Sequence, residues 1–86
     1  MEIIKTPIKD LVVIKPRVFA DARGFFFETY NEERYREAGI TQKFVQDNMS
    51  FSAQKGTLRG LHFQNAPMAQ AKLVSCTKGA VIDVAV

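Results

Sequence analysis

Short apolar or aromatic runs alternate with turn-forming sequences along nearly the whole chain, and this spacing restricts the fold more than any other feature. Val12, Val13 and Ile14 form a β-branched run closed by Pro16, and Val18 and Phe19 lead into Asp21-Ala22-Arg23-Gly24, residue types that favour a turn. Residues 25–30 then read as a strand. Alternate side chains of an extended chain share a face, so Phe26, Glu28 and Tyr30 are expected together, opposite Phe25, Phe27 and Thr29. Further strand-like pieces cover residues 43–50, 57–64, 71–76 and 80–86, separated by Lys55-Gly56, Pro67 and Lys78-Gly79. Several short strands at such intervals predict an all-β sandwich or barrel.

Only residues 31–38 carry helix signals: Asn31 as a cap, Glu32 and Glu33 against the positive end of the dipole, and Gly39 to end the segment. The run 80–86 has a strand pattern with no turn or polar tail after it. It is expected to pair within the chain or across an interface, since an unpaired strand of this composition is an aggregation-prone edge.

An 86-residue chain is expected to form one domain, over residues 1–86, with limited capacity to bury surface. Its 47% hydrophobic and 24% charged content nevertheless predicts a core rather than disorder. Twelve Lys and Arg against nine acidic residues give a net charge of +3, and these cations are spread along the chain. That distribution favours a local site for an anionic ligand over a nucleic-acid face, which needs a stripe of phosphate-neutralising cations. A lone cysteine, Cys76, excludes an intrachain disulfide and a cysteine-based metal cluster. In the opening sixteen residues Glu2, Lys5, Lys9 and Asp10 interrupt the apolar positions, so neither a signal-peptide core nor a membrane span is expected there. A soluble cytoplasmic protein follows as the expectation.

The chemistry-bearing residues are few. His62 is the only histidine, in Leu58-Arg59-Gly60-Leu61-His62-Phe63-Gln64. With Gly56 and Gln64 it resembles the cupin metal motif, but Gln64 stands where that motif has a second histidine. No Glu or Asp lies between Gln64 and Gln70, so the usual metal donors are missing and no metal is expected. His62 is then either a general base, since imidazole titrates between about pH 5 and 8, or a structural histidine with its nitrogens satisfied. Arg59 is three residues away, on the opposite face of a regular strand, unless Gly60 makes a bulge that turns both side chains the same way. Otherwise Arg59 is a surface cation. Gln46 and Asn48, two apart, present both amides on one face, suited to a nucleobase or sugar hydroxyls or simply to solvent. Lys72 shares a face with Val74 and Cys76, as a surface lysine or as a group stabilising developing negative charge.

Three stretches together match a family pattern in order and spacing: Phe19-Ala20-Asp21-Ala22-Arg23-Gly24-Phe25-Phe26-Phe27-Glu28, then Gln46-Asp47-Asn48-Met49-Ser50, then Gly56-Thr57-Leu58-Arg59-Gly60-Leu61-His62-Phe63-Gln64. Gln70 to Val74 and Gly79 to Val84 follow in the same order. The chain resembles the dTDP-4-dehydrorhamnose 3,5-epimerases along essentially its whole length. The resemblance implies a cupin-like jelly roll, truncated after its first half, with one short helix. It also implies isomerisation of a dTDP-linked 4-keto-6-deoxy sugar in L-rhamnose biosynthesis, without a cofactor. Unpaired strand edges and the apolar run 80–86 separately predict a homodimer or larger assembly. His62 matches the family's base, and Lys72 sits where it would hold the C4 oxyanion. Arg23, Glu28, Gln46, Asp47, Asn48 and Arg59 match its nucleotide-sugar contacts. Family members are about twice as long and supply an acid tyrosine and a histidine-orienting aspartate from their second half, to which Tyr30, Tyr35 and Asp83 do not correspond. A truncated, non-catalytic nucleotide-sugar binding or oligomerising fragment is the alternative.

Overall fold

In the computed structural model, which describes residues 1–86, the regular structure consists of β1 (Glu2–Lys5), β2 (Val12–Lys15), β3 (Phe19–Asp21), β4 (Gly24–Phe26) and α1 (Glu32–Glu37). The expected all-β class with one short helix is what the chain has. No helix is long and apolar enough to cross a membrane.

One compact unit comprises Met1–Thr41 with Ile82–Val86 and holds both sheets and the helix. Strands β1 and β2 pair antiparallel, with Ile3 opposite Ile14 and Ile4 opposite Val13. β1 was not expected, because Glu2 and Lys5 flank only two apolar residues, too few for an alternation to declare itself. The connection is tied by Thr6, whose hydroxyl donates to the Leu11 carbonyl oxygen at 2.8 Å and accepts from the Ile8 N–H at 3.2 Å.

Strands β3 and β4 form a hairpin around the predicted turn, with Asp21 opposite Gly24 so that Ala22 and Arg23 make the loop. Asp21 Oδ1 accepts from the Arg23 N–H at 2.9 Å, the side-chain-to-backbone bond that makes aspartate a turn former. Gly24 adopts φ +136°, a conformation closed to side-chain-bearing residues, which is why glycine stands where the chain re-enters the ladder. The Phe25 and Phe27 rings stack with centroids 5.9 Å apart, as the expected alternation requires, although the ladder itself ends at Phe26.

Helix α1 lies where its local signals put it. Asn31 caps it in extended conformation (φ −148°, ψ 117°), its side chain accepting from the Arg34 N–H at 2.9 Å, and Gly39 follows the Ala38 cap. The exposed Arg36 and Glu32 add an i, i+4 ion pair at 3.9 Å.

Gln42–Val81 forms the second compact unit. Its turns fall where the sequence puts them: Thr57 closes one at Lys55-Gly56 by donating its hydroxyl to the Gln54 carbonyl at 2.8 Å, and Met68 N–H closes another at Pro67 on the Asn65 carbonyl at 2.9 Å. The intervening segments differ from expectation. Residues 43–50, 57–64, 71–76 and 80–86 enter no ladder, because a strand is completed by a neighbour's hydrogen bonds and none of these segments meets one.

The expected core is likewise absent from the isolated chain. Tyr35, 5% exposed, is the one buried residue, whereas Leu58, Phe63 and Ile82 are all at least 80% exposed. Two separate two-stranded ribbons have no third strand or opposing layer to cover their faces, and such ribbons are marginal by themselves.

Candidate functional site

The residues singled out in the sequence divide between the two units. Arg23 and Glu28 belong to the first, and Gln46, Asp47, Asn48, Arg59, His62 and Lys72 to the second. All eight are exposed.

In the first unit the hairpin loop presents Arg23 beside an open depression of about 250 Å³ lined by Phe19, Asp21, Gly24, Phe25 and Phe26 as well. The guanidinium folds back on Asp21, with Nη2 donating to Oδ2 at 2.6 Å and Nε lying 3.3 Å from both carboxylate oxygens. This bond holds the Asp21 carboxyl below its ordinary range and raises Arg23. Arg17 stacks over the Phe19 ring, 4.9 Å from its centroid, so a second cation borders the hairpin's aromatic face.

Glu28 follows two residues after β4 and accepts from Arg34 Nη1 through Oε2 at 2.6 Å. The Glu28 hydrogen bond and charge keep the Arg34 guanidinium above its usual value. Behind this pair, the Tyr35 hydroxyl donates to the Thr29 carbonyl at 3.0 Å, and the Tyr30 and Tyr35 rings meet edge to face with centroids 4.8 Å apart. Burial, with smaller contributions from Tyr30 and Glu28, raises the Tyr35 hydroxyl.

In the second unit Gln46 Nε2 donates to Asn48 Oδ1 at 3.2 Å, the juxtaposition expected of residues two apart in an extended chain. The pair still offers the Gln46 carbonyl and the Asn48 amide nitrogen outward. Arg59 is tied to the segment before it: Nε donates to Ser52 Oγ at 3.1 Å and Nη2 to the Phe51 carbonyl at 2.9 Å. Gly60, at φ +115°, breaks the extended path between Arg59 and His62. His62 lies back over this glycine, its Nδ1 3.9 Å from where a Gly60 Cβ would stand. Neither His62 nor Lys72 has a hydrogen-bond or ion-pair partner within the chain, and Asp47 points to solvent without one.

The structure thus brings Gln46 to Asn48, and adds four partnerships that the sequence reading did not single out: Asp21 with Arg23, Arg34 with Glu28, and both Ser52 and the Phe51 carbonyl with Arg59. Asp21 was legible as the first residue of a turn. Arg34 and Ser52 carry no periodic signal, being six and seven positions from the residues they hold.

These features define an all-β chain with one short helix and with arginines exposed in both units. A family model described as dTDP-4-dehydrorhamnose 3,5-epimerase matches residues 5–86, and the chain belongs to that family. It is 53% identical, over its full length, to the dTDP-4-dehydrorhamnose 3,5-epimerase of Escherichia coli K12, of which it covers 46%. The enzyme of the same name from Methanothermobacter thermautotrophicus is 48% identical over 96% of this chain, which covers 44% of that relative. Among solved structures, the Bacillus anthracis dTDP-4-dehydrorhamnose 3,5-epimerase with TDP and PPi bound superposes with a TM-score of 0.75 at 50% identity, over 79% of this chain and 39% of that one. The chain therefore spans about half the length of the relatives it matches.

Proposed function

We propose that this chain carries the base side of a sugar-nucleotide epimerase site acting on dTDP-4-dehydro-6-deoxy-D-glucose and leading to dTDP-4-dehydro-L-rhamnose. The observation that carries the reading is the likeness to the Bacillus anthracis epimerase, which holds TDP and PPi. Carbons 3 and 5 of such a sugar flank the C4 ketone, so their protons are the acidic ones. His62 removes one of them, the electron pair passes into an enolate, and Lys72 stabilises the oxygen anion at C4. Reprotonation from the opposite face inverts the centre. Each of Arg23, Glu28, Gln46, Asp47, Asn48 and Arg59 is read singly as a nucleotide-sugar contact, an arginine suiting diphosphate oxygens and an amide suiting hydroxyl or base groups.

His62 has no orienting partner within residues 1–86, and the Tyr35 hydroxyl is committed to the Thr29 carbonyl. Tyr35 is therefore not the proton donor in this reading. The chain works without a metal or organic cofactor, as one partial cupin domain in a homodimer or larger assembly, in the cytoplasm.

A second reading, a non-catalytic segment that binds a nucleotide sugar or drives oligomerisation, is favoured by the unpartnered His62. Proton exchange at C3 and C5 of the 4-keto sugar in heavy water separates the two. The enzymatic reading expects label at one or both carbons, abolished by His62→Asn. No label alongside measurable dTDP affinity leaves the binding segment.

A further inference from the structure

We propose that Arg34 is a positioning residue for ligand binding: it holds Glu28 by one carboxylate oxygen and leaves the other to accept a hydrogen bond from the nucleotide sugar. The inference rests on the reading of Glu28 as a ligand contact, and adds to it a group on another element that sets the carboxylate's direction.

The backbone gives Glu28 little support. It lies beyond the last ladder residue, Phe26, in the link to α1. What fixes it comes from two consecutive residues of the helix. Arg34 bonds Glu28 itself at 2.6 Å, and Tyr35 bonds the next residue, Thr29, at its carbonyl oxygen, while the Tyr35 ring packs against Tyr30. The helix is in turn a fixed support, because Asn31 Oδ1 caps the Arg34 N–H at 2.9 Å and Tyr35 is buried.

The contact is single-toothed, joining Nη1 to Oε2, whereas an arginine in the usual fork geometry occupies both carboxylate oxygens. Oε1 is thus left as an acceptor in a side chain whose rotamer is already restricted. The side chains of Arg34 and Glu28 are 62% and 45% exposed, so a ligand can reach the pair. At that exposure the ion pair adds little to folding. Its effect falls on binding, where a carboxylate held in one direction has less rotamer freedom to lose.

The test is calorimetry with dTDP on the full chain, comparing wild type, Arg34→Met, Glu28→Gln and the double variant, with circular dichroism to check that the helix is retained. Arg34→Met is expected to weaken dTDP binding about twofold to fivefold, the range an exposed pair commands. It should cause no further loss in the Glu28→Gln background, since the two residues act as one unit. Arg34→Lys, which keeps the charge and the helix propensity, should recover part of the affinity, and it replaces Arg34→Met in the same cycle if that variant loses its helix. Wild-type affinity in the Arg34 variants, or losses that add in the double variant, would overturn the inference while leaving the functional reading intact. A wild-type chain that binds no dTDP would overturn both.

Discussion

The Tyr35 hydroxyl donates to the Thr29 carbonyl oxygen at 3.0 Å, joining the helix to the segment that leaves the β3–β4 hairpin. Tyr35 is the one buried residue, and this contact and the ring packing with Tyr30 hold the helix to that segment. Tyr35→Phe removes the hydroxyl and keeps the ring, at an expected cost of about 0.5–1.5 kcal/mol in urea unfolding. Tyr35→Ala should cost more, about 3–5 kcal/mol by analogy with other aromatic truncations, enough to melt the helix. The same burial raises the Tyr35 hydroxyl above its ordinary value. Stability from this group is then complete below the unfolded tyrosine range near pH 10 and falls as pH rises through the folded value. Alkaline unfolding that Tyr35→Phe leaves unchanged would contradict this assignment.

Asp21 carries the opposite sign. Its carboxyl is held below the ordinary value by Arg23, so the contribution of the hairpin pair is present above the unfolded carboxylate range, near pH 4, and disappears as pH falls through the lower folded value. Both side chains are exposed, so the effect is screened by salt. A carboxyl titration followed by NMR should place Asp21 below an unpaired aspartate, and Arg23→Gln should return it to the ordinary range. An Asp21 midpoint indifferent to that substitution would remove the ion pair from the solution structure.

At Gly60 a methyl group would find room, since its nearest neighbours are the His62 backbone nitrogen at 3.8 Å and Nδ1 at 3.9 Å. The obstacle is torsional, because φ +115° is a conformation that side-chain-bearing residues avoid. Gly60→Ala should therefore strain the backbone by about 1–3 kcal/mol and shift the path between Arg59 and His62. The expected results are a changed His62 imidazole signal in NMR and weaker dTDP binding in calorimetry. An unaltered spectrum and affinity would mean that this backbone conformation has no part in presenting His62.

The elements that the sequence announced are those built by local chemistry. Asn31, Glu32, Glu33 and Gly39 declare the helix within a few residues of one another, and Asp21 through Gly24 declare the hairpin loop. Gln46 and Asn48 meet because extended geometry alone puts them there. What escaped the sequence depends on partners. β1 exists by pairing with β2, and its Ile3-Ile4 core is too short to show a period. Residues 43–50, 57–64, 71–76 and 80–86 have strand composition but meet no neighbour, so composition overstated the ladder. Among the candidate site residues, the turn holding Arg23 was legible, whereas the Arg34 contact with Glu28 spans a link whose path no periodicity describes.

The chain offers one histidine and one cysteine, and Gln64 stands two residues beyond His62 where a further imidazole donor would be needed. Chelator dialysis is expected to leave dTDP affinity and any proton exchange unchanged, with no stoichiometric metal found by elemental analysis. Activity lost on chelation and restored by zinc, iron or manganese would refute the metal-free mechanism.

The exposed apolar side chains of the second unit predict self-association. Val45 and Phe51 are both 83% exposed, Leu58 91% and Phe63 80%, all within Gln42–Val81. Fully burying a side chain of this kind is worth about 1.5–3 kcal/mol, so covering four of them yields about 6–12 kcal/mol. That is comparable with the cost of about 4–15 kcal/mol for the freedom lost on association. Hydrogen bonding adds to it, because residues 43–50 and 57–64 have backbone groups with no ladder partner and an adjoining chain can supply one. Sedimentation should therefore show an average mass that rises with concentration in the micromolar range. Leu58→Ser combined with Phe51→Ser should move that rise to higher concentration, since the pair removes half of the apolar contribution while leaving Arg59 and His62 in place. A wild-type chain that sediments as a monomer throughout would show that these side chains stay in water, and the homo-oligomer would fall with it.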